Sequence, residues 1–213
     1  VRQTHDFLMV GHNSEAVQIL SQAHKSKSHL EVAVDVLVKT GRLPEDADTF
    51  LLVNGIHAGF SNAVLEAAGA LPGYVAGDDR DDYTHLEAFS IDDAETREID
   101  DALSVSFEGD EAVVGIHIAD PAHFVSKGDS LDRVAEERPL SLYLPTTTVM
   151  MFPERIGCEL ASLAVDGARP SLSFMVRFGA DGGLIDWTFS SATVHVKHRL
   201  TYADADHILA ADP

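Results

Sequence analysis

Residues 90–103, SIDDAETREIDDAL, carry six carboxylates and a single basic side chain, Arg97. Carboxylates packed this densely repel and raise each other's pKa, so a folded protein spreads them in water or gathers them around a cation. The segment is flanked by apolar, strand-like sequence rather than by linker, and it contains Ile91, Ile99 and Leu103. These features favour a segment tied to a hydrophobic core, with a solvated acidic loop as the alternative.

The spacing of the carboxylates restricts how they can meet. Side chains alternate along a strand, so Glu98 and Asp100 would share a face while Asp101 points away. Asp100 and Asp101 can converge only if the strand breaks between them, which predicts a turn that opens into a strand at 103–107. Hard divalent cations such as Mg²⁺ prefer oxygen ligands. The carboxylates that could surround such a cation are Asp92, Glu98, Asp100 and Asp101.

Two other patterns in the sequence could be read as metal sites. A calcium-binding EF-hand loop counted from Asp92 needs glycine at the sixth position and glutamate at the twelfth. Those positions hold Arg97 and Leu103, which excludes an EF-hand. The pattern H-x-x-D-x-x-H is built by His117, Asp120 and His123. Because its first histidine lies on an expected strand and its second follows a proline-containing turn, we interpret the aspartate as a group that caps or orients that turn.

The acidic segment and the sequence after it resemble the ribonuclease II / ribonuclease R family, the RNB domain. The resemblance comprises Asp92 followed by ordered blocks: EIDDALSV at 98–105, HIADP at 117–121, RPLSLYLP at 138–145, MFPE at 151–154, SLSF at 171–174 and RLTY at 199–202. It extends from about residue 83 to about residue 207. Many members of the family carry aspartate where this chain has Glu98, whose longer side chain still offers a carboxylate.

The resemblance implies an Mg²⁺-dependent, processive 3′-to-5′ exoribonuclease that hydrolyses single-stranded RNA to nucleoside 5′-monophosphates. Two Mg²⁺ ions held by converging carboxylates would activate water and neutralise charge at phosphorus. The residues expected to be catalytic and to bind metal are Asp92, Glu98, Asp100 and Asp101. The residues expected to contact RNA are two aromatic and three basic side chains: Tyr143, Tyr202, Arg138, Lys197 and Arg199. Tyrosine stacks on any base without reading its identity.

Periodicity predicts an α+β protein with two parts. Residues 1–72 are expected to form an N-terminal helical, winged-helix-like accessory domain, and residues 73–85 a linker rich in glycine, proline and acidic residues. Residues 86–213 are expected to be the first part of a mixed α/β RNB catalytic domain. Helices are predicted from about 13 to 24 and at 29–40, 61–70, 130–138 and 202–210. Strands are predicted at 103–107, 113–118, 172–178 and 184–196, with turns at Gly109 and at 181–183.

Charge and composition restrict the function further. A net charge of −20 opposes simple electrostatic binding of nucleic acid, although the excess is concentrated near the proposed metal site. The single cysteine, Cys158, excludes an internal disulfide and suits a reducing cytoplasm. The chain lacks an apolar run near the ~20 residues that span a bilayer, so no membrane association is expected. Because the first residue is not methionine, we expect the sequence to be a fragment or to lack its true start.

Enzyme and binding module both remain open at this stage. In the family the RNB domain extends well past the position of Tyr202, and the later part contributes an arginine, a carboxylate and a stacking aromatic. We therefore expect the remaining C-terminal part of the same protein to complete the active site beyond Pro213. The alternative is a nucleic-acid-binding module with a catalytically inactive acidic site. Such a module would bind nucleic acid through the helical segment and its basic side chains: Lys25, Lys27, Lys39 and Arg42.

Overall fold

The computed structural model describes residues 29–44, 48–145 and 147–211. In chain order, these residues form α1 (His29–Lys39), α2 (Thr49–Asn54), α3 (Asn62–Gly69), β1 (Asp81–Asp92), β2 (Asp101–Glu108), β3 (Glu111–Ala119), α4 (Ser130–Glu137), β4 (Leu142–Tyr143), β5 (Thr148–Val149), β6 (Arg169–Phe178), β7 (Leu184–Thr201) and α5 (Tyr202–Ala211). A 3₁₀ helix lies at Pro121–His123 and a π-helix at Arg155–Leu160. None of the helices in these ranges is both long and apolar enough to cross a membrane.

Five strands close into a barrel in the order β1-β2-β3-β6-β7. Neighbouring strands are antiparallel except for the last pair, in which β7 runs parallel to β1 and closes the barrel. Inward-facing strand residues fill most of the core, and Ile99 and Leu163 enter it from outside the strands. The core cluster comprises Ala88, Ile99, Ala102, Leu163, Val194 and Val196. Helices combined with this sheet confirm the predicted α+β class.

The barrel lies in the larger of two compact units, which comprises residues 61–141 and residues from Met150 onward. The smaller unit contains residues up to Phe60 together with the short β4–β5 hairpin. In the smaller unit, α1 ends where predicted, at a glycine with positive φ, Gly41. The pattern did not predict α2, which is capped by the Asp48 carboxylate accepting from two backbone N–H groups.

The predicted elements of the larger unit occur with small changes in their bounds. The β2–β3 hairpin turns at Gly109 and the β6–β7 hairpin at Gly182, and both glycines have positive φ. Both helices predicted after residue 120 form, as α4 and α5. The helix predicted at 61–70 is α3, which Ser61 caps.

The segment predicted as a solvated linker at 73–85 is partly built into the barrel. β1 begins at Asp81. Just before it, the Tyr74 hydroxyl lies 2.5 Å from Thr193 Oγ1, and the Arg80 guanidinium pairs with the Asp120 carboxylate at 2.6 Å with both side chains largely buried. The helix predicted from about 13 to 24 lies outside the described residues. The winged-helix-like arrangement of 1–72 stays a prediction.

Candidate metal-binding and catalytic site

Strand pairing brings the two outer carboxylates of the acidic segment to one end of the barrel. Asp92 is the last residue of β1 and Asp101 the first residue of β2. These strands are antiparallel, with Phe89 opposite Leu103, so the end of β1 meets the start of β2. Glu98 and Asp100 lie in the connection between them. The strand therefore begins between Asp100 and Asp101, as the spacing predicted.

The connection is anchored through its apolar residue. Ile99 is buried in the barrel core. Its N–H donates to Ser162 Oγ at 3.1 Å, and its carbonyl accepts from the N–H of Leu163 at 2.8 Å. The Ser162 hydroxyl in turn donates to the Arg97 carbonyl at 3.2 Å. The backbone next to Glu98 and Asp100 is thus fixed on both sides, and a freely solvated acidic loop is excluded.

Glu98 packs against the π-helix Arg155–Leu160 and the residues before it, which we call the wall of the site. Ser141 Oγ donates to Glu98 Oε2 at 2.8 Å and accepts from the N–H of Met151 at 3.1 Å. Glu98 Oε1 lies against Gly157. Single-turn π-helices are rare and frequently occur at functional sites. The Glu98 carboxylate is therefore held by contacts to both of its oxygens.

The pKa of Asp100 is raised by burial and by neighbouring negative charges. Burial of part of its carboxylate is the larger cause and, together with the charges of three carboxylates, raises the pKa to about 6. The residue nevertheless keeps access to water. Those carboxylates are Glu98, Asp101 and Asp92, in decreasing order of effect. The four predicted ligands are thus close enough to repel one another.

Asp92 shows a different environment. Burial raises the pKa of Asp92, and the charge of Asp101 adds to this rise, whereas the nearby Ser90 hydroxyl and Arg199 oppose it. Within the described ranges, Asp92 Oδ2 and Ser90 Oγ are both buried without a partner in hydrogen-bond geometry. The two groups are therefore neighbours but not a hydrogen-bonded pair. A buried carboxylate oxygen without a donor is costly unless a cation neutralises it.

The donor set fits a hard cation by its chemistry. Four carboxylates supply only oxygen ligands, and one of their oxygens is buried and unsatisfied. In the part of the chain that the structure describes, no three histidine, cysteine or acidic side chains are arranged as a metal ion requires. Mutual repulsion opposes a closer approach of the carboxylates. The metal-ligand assignment of Asp92, Glu98, Asp100 and Asp101 stays a prediction.

Basic side chains in the second half of β7 have a structural role. His195, Lys197 and Arg199 alternate along the strand, and Lys197 Nζ lies 3.0 Å from His195 Nδ1. Arg199 Nη2 donates to three backbone carbonyls of the acidic connection, those of Asp93, Ala94 and Thr96. Arg199 thus braces the connection that carries the carboxylates.

The other predicted RNA-binding residues lie at different places in the fold. Tyr202 begins α5 and is 61% exposed, and Tyr143 lies in β4, in the smaller unit, and is 63% exposed. Arg138 follows α4 and its Nη1 donates to the Met150 carbonyl at 3.4 Å. Both tyrosines are largely exposed, and their RNA contacts stay predictions.

The H-x-x-D-x-x-H residues serve structural roles. His117 is fully buried between two serines, with Nε2 3.0 Å from Ser104 Oγ and Nδ1 2.8 Å from Ser173 Oγ. Burial lowers the pKa of His117 to about 4. The Asp120 carboxylate makes no cap bond to the following 3₁₀ helix and instead pairs with Arg80. The expected cap is therefore wrong, and the alternative that Asp120 orients this turn stays a prediction.

Cys158 lies beside the site, near enough to Arg97 and Glu98 for their charges to act on its thiol. Its thiol is half-buried, and burial raises the pKa of this thiol. A raised pKa lowers the thiolate fraction, which is the nucleophilic form.

Three residues that shape the site were missed by sequence reasoning. These residues contact the acidic connection although they lie far from it in the sequence: Ser141, Gly157 and Ser162. Ser141 lies within the block RPLSLYLP, which could have pointed to it. Gly157 and Ser162 stand outside the matched blocks and carried no signal of their own.

The RNB domain family model matches residues 80–213, and the chain belongs to this family. Ribonuclease II, chloroplastic/mitochondrial, of Arabidopsis thaliana is 34% identical over 181 residues, which cover 83% of this chain and 22% of that protein. Exoribonuclease 2 of Serratia proteamaculans is 37% identical over 142 residues, 66% of this chain and 21% of that protein. The chain therefore spans about a fifth of the length of these relatives.

Solved structures agree with this assignment. Mycoplasma genitalium RNase R in complex with ribose methylated single-stranded RNA superposes with a TM-score of 0.72 at 25% identity. The similarity covers 78% of this chain and 26% of that one. The fold of the described barrel is thus similar to part of a ribonuclease R.

Proposed function

We propose that this chain carries the carboxylate half of the active site of an Mg²⁺-dependent 3′-to-5′ exoribonuclease. The proposed reaction is hydrolysis of single-stranded RNA to nucleoside 5′-monophosphates. The observation that carries the proposal is the buried, unpartnered oxygen of Asp92, which is one of three carboxylates whose charges add to the raised pKa of Asp100. Similarity to a ribonuclease R bound to single-stranded RNA supports RNA as the substrate.

The residues that would hold the metal are Asp92, Glu98, Asp100 and Asp101. Bound Mg²⁺ supplies water activation and neutralises charge at phosphorus and on the leaving oxygen. Each protein residue has its own task in this scheme. Ile99 and Arg199 keep the connection in place, and Ser141 orients the Glu98 carboxylate. Fixed ligands need no rearrangement as charge develops on the reacting phosphate, which is the source of such catalysis.

RNA would reach these carboxylates at the end of the barrel where β7 passes into α5. Tyr202 is exposed there and can stack on a base of any identity. Stacking without hydrogen-bond readout suits an enzyme that shortens RNA step by step. The net charge of −20 predicts weak attraction to phosphate from this chain alone, so we expect the rest of the protein to supply basic surface.

Product analysis of the intact protein tests the proposal. Single-stranded RNA labelled at its 5′ end should shorten stepwise from the 3′ end, with nucleoside 5′-monophosphates released in Mg²⁺ and no reaction in EDTA. Internal cuts, or equal rates in EDTA, would overturn the assignment. RNA binding without hydrolysis under any divalent cation would favour the alternative, a binding module with an inactive acidic site.

A further inference from the structure

Gly157 is a glycine because of space and not because of its backbone conformation. It lies within the π-helix and is not among the glycines with positive φ. A Cβ built on Gly157 would lie 2.5 Å from Glu98 Oε1 and 3.3 Å from the terminal methyl of Met150. Carbon and oxygen atoms without a hydrogen bond do not approach to 2.5 Å, so any larger residue here would displace the Glu98 carboxylate or the wall.

The π-helix that carries Gly157 is held by buried side chains and cannot easily move away from Glu98. Ile156, next to Gly157, is fully buried, and its carbonyl accepts from the N–H of Ala161 at 2.9 Å. Leu160, at the end of the π-helix, is buried as well. Close-packed interiors transmit a displacement instead of absorbing it. A side chain at position 157 would therefore move the more adaptable group, the Glu98 carboxylate.

The Glu98 backbone is also held in place. On either side of it, the Arg97 carbonyl and the Ile99 N–H are both bonded to the Ser162 hydroxyl. The remaining freedom of Glu98 is in its side-chain rotations. Ser141 removes part of that freedom, because its single hydroxyl hydrogen goes to Glu98 Oε2 while its oxygen accepts from the N–H of Met151.

We propose that Ser141 and Gly157 are the positioning residues of Glu98. Gly157 provides the room that the extra methylene of glutamate requires, and Ser141 sets the direction of the carboxylate. Aspartate at position 98 would be shorter by one methylene and would not need the glycine. Residues 98 and 157 are thus coupled in size. This inference rests on the proposed function, in which Glu98 is a metal ligand.

A double-mutant cycle in the intact protein tests the coupling. The variants are Gly157→Ala, Glu98→Asp and the two combined. Mn²⁺ affinity is measured by titration without RNA, together with the Mg²⁺ concentration that gives half-maximal hydrolysis. Gly157→Ala alone should weaken Mn²⁺ binding by ~10- to 100-fold, the usual cost of disturbing a ligand's supporting contacts. In the Glu98→Asp background the same change should alter the affinity by no more than about twofold.

Two further variants accompany the cycle. Gly69→Ala is the matched control, because a Cβ built on Gly69 meets no atom within 4 Å and the residue lies in α3. It should leave Mn²⁺ affinity unchanged. Ser141→Ala should weaken Mn²⁺ binding by ~10-fold or more and leave the fold intact, since only the hydroxyl is removed.

The outcomes separate this inference from the proposed function. The size coupling is overturned if Gly157→Ala binds Mn²⁺ with wild-type affinity, or if it loses the same affinity in both backgrounds. The metal-directed role of Glu98 is overturned if the wild-type protein does not bind Mn²⁺. Size coupling in a wild-type protein that binds Mn²⁺ but does not hydrolyse RNA overturns the proposed function alone. If Gly157→Ala unfolds, the free energy of unfolding in EDTA decides: recovery in the Glu98→Asp background supports the coupling, and equal loss overturns it.

Discussion

Thr201 is the register partner of Asp92 in the parallel pairing that closes the barrel. Its hydroxyl donates to Asp204 Oδ2 at 2.6 Å and accepts from the N–H of Asp204 at 3.2 Å, which caps α5. Helix α5 therefore starts directly beside the last residue of β1. Tyr202, the first residue of α5, directly follows this partner of Asp92.

Asp100→Asn should abolish Mg²⁺-dependent hydrolysis of RNA while RNA binding persists. The loss of rate should exceed the ~100-fold that removal of an outer-shell partner costs, because a ligand itself is lost. The free energy of unfolding in EDTA should not fall, since the variant removes one of the charges that repel each other. Rates from single-turnover assays and urea denaturation provide the two measurements.

A matched control for this variant is Asp110→Asn, in the turn between β2 and β3 and away from the carboxylates. It should hydrolyse RNA at the wild-type rate. Wild-type turnover by Asp100→Asn would contradict a ligand role for Asp100.

Arg199→Gln should loosen the acidic connection. Its guanidinium donates to the carbonyls of Asp93, Ala94 and Thr96, and loss of these bonds should lower local stability by about 1 kcal/mol. Hydrogen exchange of the amides at 94–98 should become faster, and hydrolysis slower. Mass-spectrometric hydrogen exchange on the RNA-free protein measures the first effect.

Arg177→Gln is the control for Arg199, because Arg177 pairs with Glu108 and Glu111 at the surface. It should leave exchange at 94–98 unchanged. If Arg199→Gln weakened RNA binding without changing exchange, Arg199 would act on RNA and not on the connection.

Tyr202→Ala should weaken binding of single-stranded RNA by ~1–3 kcal/mol, the usual contribution of one stacked base. Tyr202→Phe keeps the ring and should retain most of the affinity. Fluorescence anisotropy in the Asp100→Asn background measures binding without degradation of the RNA. Phe107→Ala removes another exposed ring, at the opposite end of β2, and should have no effect. Equal affinities of Tyr202→Ala and Tyr202→Phe would show that the ring does not stack.

His117 should make the protein less stable in acid. Its pKa is lowered from 6.5 to about 4 by burial, so the folded protein disfavours the protonated ring. The stability that its neutral form contributes is complete above pH 6.5 and is lost as the pH falls towards about 4. Urea denaturation at constant ionic strength across this range should show the decline.

Nitrogen chemical shifts of the His117 ring provide an independent check that needs no variant. The ring should remain neutral from pH 7 to pH 5, whereas an exposed histidine titrates near pH 6.5. A midpoint near pH 6.5 for His117 would contradict its burial between Ser104 and Ser173.

Local periodicity in the sequence was sufficient to predict many of the strands, helices and turns of this protein. Alternation of Leu103, Val105 and Phe107 predicted β2, and the glycine at 109 predicted its turn, because both depend on neighbouring residues alone. The break between Asp100 and Asp101 also followed from strand geometry. The family resemblance selected the carboxylates, and their roles now depend on experiment.

Tertiary structure decided the contacts that no local pattern encodes. The parallel closure of β7 on β1 placed Tyr202 beside Asp92, and it turned Arg199 towards the backbone of the acidic connection. The same folding set Gly157 against Glu98. Periodicity shows which face of an element is buried, but the partner of each side chain depends on how distant segments pack, and that is decided by the whole core at once.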